Sequence, residues 1–341
     1  MQIINPLDYP DWDELLLTNK NSSFFHTSNW ARVLSESYKY KPLYFCSIEN
    51  EQLSILLPVM EVKSILTGKR GVSLPFTDQC RPIIPEKSNT QDLLQQINEY
   101  GKTSKWKYIE WRDFKGMAQG IPYSSLFYGH TLNLTPGENK LLSNFRGSTK
   151  RNIKKAEKEG VQVKLSHSLD SINEFYRLNC ITRKHHGLPP QPFYFFKKIH
   201  EHIISMKKGF VLLASYLNNV IACAVYFHFS DKAIYKYGAS DRKYQYLRPN
   251  NLIMWHAIKL LAQNGFRSLS LGRTEPQNEG LLQFKRGWNV EETKINYYRF
   301  NLVTNTFEQG SSIPESAHKI FSALPSPILN LAGRLLYRHV G

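Results

Sequence analysis

Apolar residues recur along the chain at two spacings, one helical and one strand-like, and the switches between them predict the elements. Residues 12–17 read as a short amphipathic helix. Residues 28–37 read as a second one, capped by Thr27 or Ser28, with Trp30, Val33 and Leu34 at i, i+3 and i+4. The runs 43–48 and 53–62 read as strands joined by the polar turn Glu49-Asn50-Glu51. A helix over 90–100 and a strand over 108–111 follow. The second half begins with a basic helix over 144–160, ended by Gly160, and a longer helix over 169–185 with Ile172, Phe175, Tyr176 and Asn179 on one face. Strands 210–217 and 220–229 should meet in a hairpin at Asn218-Asn219, with 233–239 paired next. After the loop 240–249 come an apolar helix over 252–264, ended by Gly265, a strand over 268–271 and a closing strand over 293–303.

The similar element order of the two halves suggests a duplicated domain. The expected fold class is α/β (α+β), with mixed, largely antiparallel sheets flanked by helices. At roughly 100–200 residues per domain, 341 residues also predict two domains. The expected divisions are 1–140, 141–303 and a tail over 304–341.

Composition narrows the class. With 41% hydrophobic and 13% aromatic residues the chain can bury a core, which excludes global disorder. The N-terminal segment carries acids where a secretory signal needs cations, so the mature protein is expected to begin near Met1 in the cytoplasm. The most apolar stretch, 210–229, is interrupted by Asn218-Asn219 and His228 and falls short of a membrane span. Cys46, Cys80, Cys180 and Cys223 are far apart and read as buried reduced thiols. His200-Glu201-His202 lacks the i, i+4 histidine spacing, so no metal site is expected.

Four motifs occur in a fixed order: WARV at 30–33, STKRNIKKAEKEGV at 148–161, YKYGASD at 235–241 and GLLQFKRGW at 280–288. This ordered set resembles the GNAT acyltransferase superfamily, and specifically its two-domain Fem-type (FemAB-like) branch. That branch includes the aminoacyltransferases that build peptidoglycan cross-bridges from aminoacyl-tRNA. The resemblance implies two tandem GNAT-like domains and transfer of an activated acyl or aminoacyl group to an amine of a cell-envelope glycan or peptide precursor. It implies aminoacyl-tRNA or acyl-CoA as co-substrate, with no tightly bound cofactor. The expected partner is anionic, a tRNA or a nucleotide- or lipid-linked glycan precursor, reached at the inner face of the membrane. The chain departs from the family at Leu34 and Gln191, where members that use a nucleotide-linked muropeptide place cations. It also has no heptad run for the helical arm of some tRNA-using members.

Within these motifs Phe284-Lys285 is the leading catalytic candidate. Amide formation passes through a tetrahedral oxyanion, which a fixed ammonium or N–H group stabilises, and the resemblance places the matching lysine at the transfer centre. The competing reading is an ordinary solvated lysine, with Phe284 and Trp288 as core anchors. Tyr235 and Tyr237, at i and i+2, should share one sheet face opposite Lys236, either lining the cleft or half-buried in the core. Asp113 matches an acidic position of the family's acceptor cleft, against the alternative of an exposed loop aspartate.

The net charge of +16 concentrates the next question on the helix over 144–160. Arg151, Lys154, Lys155 and Lys158 should form one basic stripe opposite Ile153 and Ala156, suited to tRNA phosphates, anionic headgroups or a diphosphate. Arg248, Asn250 and Asn251 stand where coenzyme A-binding relatives place a glycine loop. Pro249 removes one donor there, which points away from standard acetyl-CoA use. Arg273, Thr274 and Glu275, at a strand end, are acceptor-binding candidates. His185 and His186 should cap their helix. The segment 326–340 sets Leu331 and Leu335 beside Arg334 and Arg338; packing on the N-terminal domain is expected, with an interfacial membrane helix as the alternative. An acetyl-CoA-dependent acetyltransferase and a catalytically inactive nucleic-acid-binding protein are the competing functions.

Overall fold

The computed structural model describes residues 1–86, 88–114, 120–310, 321 and 324–340. Parts of the expected tail, residues 311–320, 322–323 and 341, lie outside them. In chain order the elements begin with β1 (Gln2–Ile4), α1 (Trp12–Leu17), α2 (Ser28–Tyr38), β2 (Lys41–Glu49), β3 (Gln52–Ser64), β4 (Gly68–Val72), α3 (Thr90–Thr103) and β5 (Tyr108–Arg112). They continue with β6 (Ser125–Asn133), α4 (Glu138–Asn144), α5 (Gly147–Lys158), β7 (Gln162–Ser166), α6 (Leu169–His185), α7 (Phe193–Ile199), β8 (Gly209–Tyr216) and β9 (Asn219–Phe229). The last are β10 (Lys232–Ser240), α8 (Pro249–Gln263), β11 (Ser268–Thr274), α9 (Glu279–Arg286), β12 (Glu291–Asn301), β13 (Thr306–Glu308) and α10 (Ser326–Val340).

The chain divides into two units. The first holds the described residues of Met1–Phe127, Lys294–Ser312 and Leu335–Gly341; the second holds those of Tyr128–Thr293 and Ile313–Arg334. In the first unit the meander β1-β2-β3-β4 is antiparallel, β5 joins β4 in parallel after crossing through α3, and β12 pairs β5 antiparallel. In the second unit β7-β8-β9-β10 is antiparallel, β11 joins β10 in parallel after crossing through α8, and β6 pairs β11 antiparallel. Each unit is therefore a mixed, largely antiparallel sheet flanked by helices. A long connection is what a parallel neighbour requires, and in each unit a helix supplies it.

Local chemistry accounts for the boundaries. Thr27 Oγ1 accepts from the Trp30 N–H and starts α2, whose residues Trp30, Val33 and Leu34 are fully buried. Ser168 does the same for α6 through the Ser171 N–H. The basic helix expected over 144–160 is α5, which begins only at Gly147 because Phe145 and Arg146 are extended and separate it from the further short helix α4. The β8–β9 turn lies at Leu217-Asn218, one residue earlier than the asparagine pair, with φ of 48° and 63°. A two-residue turn of this kind needs positive φ at both central positions, and the pairing of Tyr216 with Asn219 fixes the register.

Cys46, Cys80 and Cys223 are buried. Burial pushes the Cys46 thiol up to about 11, and the Cys80 and Cys223 thiols higher still. Among the described residues no helix is long and apolar enough to cross a membrane. The last turn of α10 packs within the first unit, where the Tyr40 hydroxyl donates to the Tyr337 and Arg338 carbonyls at 3.1 Å each.

Candidate active site

The second unit opens where β10 and β11 part. The two strands are paired only from Lys232–Ser268 to Ile234–Ser270, although β10 runs on to Ser240 and β11 to Thr274. Both are irregular at this point. On β10 the register against β9 shifts between Tyr235 and Tyr237, which makes Lys236 an extra residue. Tyr235 faces Tyr226 and Tyr237 faces Val225, adjacent residues that point to opposite sides, so the two tyrosines do not share a face as the i, i+2 spacing suggested. Tyr235 packs on Tyr226 in the core, where burial pushes its phenol up to about 12. Tyr237 packs among Phe175, Phe196 and Phe227. On β11 the pairing with β6 jumps from Ser270–Thr131 to Arg273–Gly129, and Gly272 takes φ 69°. Only glycine adopts that backbone without a steric penalty.

Lys285 closes on this second bulge. It is 3% exposed, so it is not a solvated lysine, and its ammonium donates to the Gly272 carbonyl at 3.2 Å and the Arg273 carbonyl at 3.0 Å. His130, on β6 opposite the bulge and 1% exposed, lies 3.0 Å from Glu292 through Nε2. Glu292 also receives Arg286 Nε and Nη2 at 2.7 Å each. Burial, and next the Lys285 charge, hold His130 below the ordinary imidazole range. The Arg286 hydrogen bond keeps the Glu292 carboxyl below its own. No motif announced His130, Glu292 or Arg286 in this role. The readable signal is the core-facing alternation His130, Leu132, Leu134, all buried.

Beside this centre the N-termini of α5, α8 and α9 wall a cleft of about 300 Å³. Arg146 and Arg248 line it together with Ser148, Asn152, Asn250 and Phe284, and among its described lining residues there is no carboxylate. Neither Arg146 nor Arg248, the N-cap residues of α5 and α8, supplies a side-chain cap, so positive helix ends face the cleft. Asn250 and Asn251 lie in the first turn of α8 and are not its caps. Arg248 holds the cap position with φ 60°, and Pro249 sits at N1, where a missing N–H costs no intrahelical bond. Asn250 Nδ2 donates to Ser240 Oγ at 3.2 Å, tying α8 to the end of β10.

The GLLQFKRGW segment thus has a part for most of its residues. Gly280 and Phe284 line the cleft, Lys285 holds the bulge, and Trp288 is fully buried against Phe145 and Phe284. A Cβ on Gly287 would stand 2.5 Å from Thr149 Oγ1, so glycine lets α9 approach α5. The Arg146 N–H donates to the Gly287 carbonyl at 3.0 Å across that contact.

Other expected residues are placed elsewhere. Arg151, Lys154, Lys155 and Lys158 are exposed on the outer side of α5, opposite buried Ile153 and Ala156, and do not line the cleft. Glu275 is exposed and Arg273 half-buried. Asp113 belongs to the first unit, where it is 7% exposed with φ 68° and its carboxylate accepts from Arg81 Nε. Leu34 is fully buried. The His185 ring does not cap α6: its Nε2 accepts from Arg242 at 2.6 Å, while the backbone N–H of His186 closes the helix.

Residues 143–286 match the acetyltransferase (GNAT) domain family. Over those residues the fold is that of a GNAT domain. The crystal structure of FemX superposes with a TM-score of 0.66 at 13% identity, covering 87% of this chain and 97% of that one. The C-terminal domain of a putative lysylphosphatidylglycerol synthetase from Agrobacterium fabrum gives 0.55 at 13%, covering 90% and 94%. L-PGS from Bacillus licheniformis gives 0.53 at 9%, covering 92% and 96%. No match was found among curated protein sequences. The GNAT match takes in the cleft and Lys285 and leaves His130 and Glu292 outside it.

Proposed function

We propose that this protein is a Fem-like N-acyltransferase or aminoacyltransferase built of two tandem GNAT-like domains. It would transfer an activated acyl or aminoacyl group from a phosphate-bearing donor to an amine of a cell-envelope glycan or peptide precursor. The observation that carries the reading is the acid-free cleft walled by three helix N-termini, with Phe284 in its wall and Lys285 next in sequence. Helix N-termini and two arginines favour phosphate groups. In the reaction the amine attacks the ester or thioester carbonyl, its carbonyl oxygen gains negative charge, and the donor's oxygen or sulfur departs with the proton the amine loses, as an alcohol or thiol, as the amide forms. Lys285 supplies positive charge toward that oxyanion from a position fixed by two carbonyls. The Arg286–Glu292–His130 chain stands behind it, and a neutral His130 spares the ammonium a second buried cation.

The test is mass spectrometry of envelope precursors from cells with the wild-type protein, with Arg248→Gln and without the protein. An acyl or aminoacyl mass added by the wild type and reduced with Arg248→Gln is expected. Identical precursors in all three would overturn the reading. The family match favours acetyl-CoA as a second donor reading, and titration of the protein with acetyl-CoA distinguishes it: tight stoichiometric binding would select it.

A further inference from the structure

The β3–β4 turn in the first unit carries two apolar side chains straight into solvent. Ile65 is 97% exposed and Leu66 67%. A loose loop would explain this, but the turn is braced. Ser64 Oγ accepts from the Leu66 and Thr67 N–H groups at 3.2 and 2.9 Å and meets His339 Nδ1 at 2.9 Å. Arg70, 2% exposed, donates through Nη1 to Thr67 Oγ1 and through Nη2 to the His339 carbonyl at 2.8 Å. The end of α10 is thereby joined to the turn, and it adds Leu335 and Val340, exposed at 62% and 63%.

Cations surround this apolar tip. Lys63 stands directly opposite Lys69 across the β3–β4 pair, a like-charge placement that is unfavourable without an anion. Glu61 takes up Lys69 at 2.9 Å, which leaves Lys63 exposed. The Lys107 stem lies where a Cβ on Gly68 would fall, and Arg338 is exposed in the last turn of α10. Lys63, Lys107 and Arg338 form no ion pair among the described residues. Protruding aliphatic residues ringed by unpaired cations match a surface with anionic headgroups above hydrocarbon.

We infer that the Ile65-Leu66 turn and the end of α10 dock the protein on an anionic bilayer surface. Aliphatic tips enter the headgroup boundary, and Lys63, Lys107 and Arg338 contact lipid phosphates. The inference uses the first unit alone and is independent of the transfer chemistry.

Co-sedimentation of the full chain with vesicles of phosphatidylglycerol and phosphatidylcholine in about equal amounts, against vesicles of phosphatidylcholine alone, tests it. Wild type is expected on the anionic vesicles, with affinity falling as salt rises. The Ile65→Ser, Leu66→Ser double variant should lose about tenfold or more in partitioning with an unchanged melting temperature, since both side chains are already exposed. The Lys63→Gln, Arg338→Gln variant should flatten the salt dependence. Absence of wild-type binding, or equal binding by the serine variant, would overturn the inference. So would a tip-dependent dimer in light scattering with no vesicle binding, which would make the surface a protein interface.

Discussion

Replacing Lys285 with methionine keeps the stem and removes the charge, and the geometry of the site gives the expected cost. The ammonium makes two bonds to carbonyls, at 3.2 and 3.0 Å. At about 1.5–3 kcal/mol for a hydrogen bond to a charged group, their loss removes about 3–6 kcal/mol. Methionine also relieves the desolvation of a buried cation, an opposing effect of several kcal/mol. The net change in stability should therefore stay within about 2 kcal/mol, a shift of a few degrees in Tm. Transition-state stabilisation has no such compensation, so the transfer rate should fall by about 10²–10³, or about 2.7–4 kcal/mol. A third readout reports on the site itself. Because the Lys285 charge helps depress His130, its imidazole titration, followed by NMR, should move upward in the variant. Initial rates with the donor identified by titration, thermal melts and that titration are measured on the same preparation. Transfer within a few fold of wild type would remove Lys285 from the chemistry, and a collapse of Tm together with the rate would assign it to folding.

Burial holds His130, His228 and His256 below the ordinary imidazole range, so the unfolded chain binds protons that the folded second unit refuses. Stability should be full above about pH 6.5 and fall as pH drops below it; urea midpoints that match at pH 7.5 and 5.5 would contradict this. A Cβ at Gly238 would land on the Tyr235 hydroxyl, so Gly238→Ala should destabilise by about 1–3 kcal/mol. Tyr235→Phe in the same chain should restore only part of that in chemical denaturation, because a ring carbon remains at 2.7 Å. Changing Lys154 and Lys155 together to Gln should reduce the salt slope of tRNA binding by roughly 0.7–0.9 for each phosphate no longer neutralised, without lowering Tm; an unchanged slope would make the stripe a solvated face.

Elements governed by local spacing were legible in the sequence. The bounds of α1 and α6 agree with those that apolar periodicity predicts. Among the short strands, β4, with the sequence GKRGV, lacks a hydrophobic alternation, and β7, with QVKLS, alternates over only five residues, too short a run to stand out from a loop. The bulges escaped for a related reason. An extra residue at Lys236 is defined by the partner strand, so the tyrosine faces could not be read from one chain segment. Lys285 was legible as a motif position. Its burial was not, because the carbonyls that accept its protons are freed by a bulge at Gly272, thirteen residues earlier in the chain.

The depth of the cysteines sets how the protein can be interrogated. A thiol reacts as the thiolate, and Cys46, Cys80 and Cys223 are held both inaccessible and protonated by burial. Oxidants and alkylating reagents therefore meet these three only when the structure around them opens. Cys46 and Cys80 lie in the first unit and Cys223 in the second. Residue-resolved labelling rates would consequently report the opening free energy of each unit separately, with no label introduced by mutation.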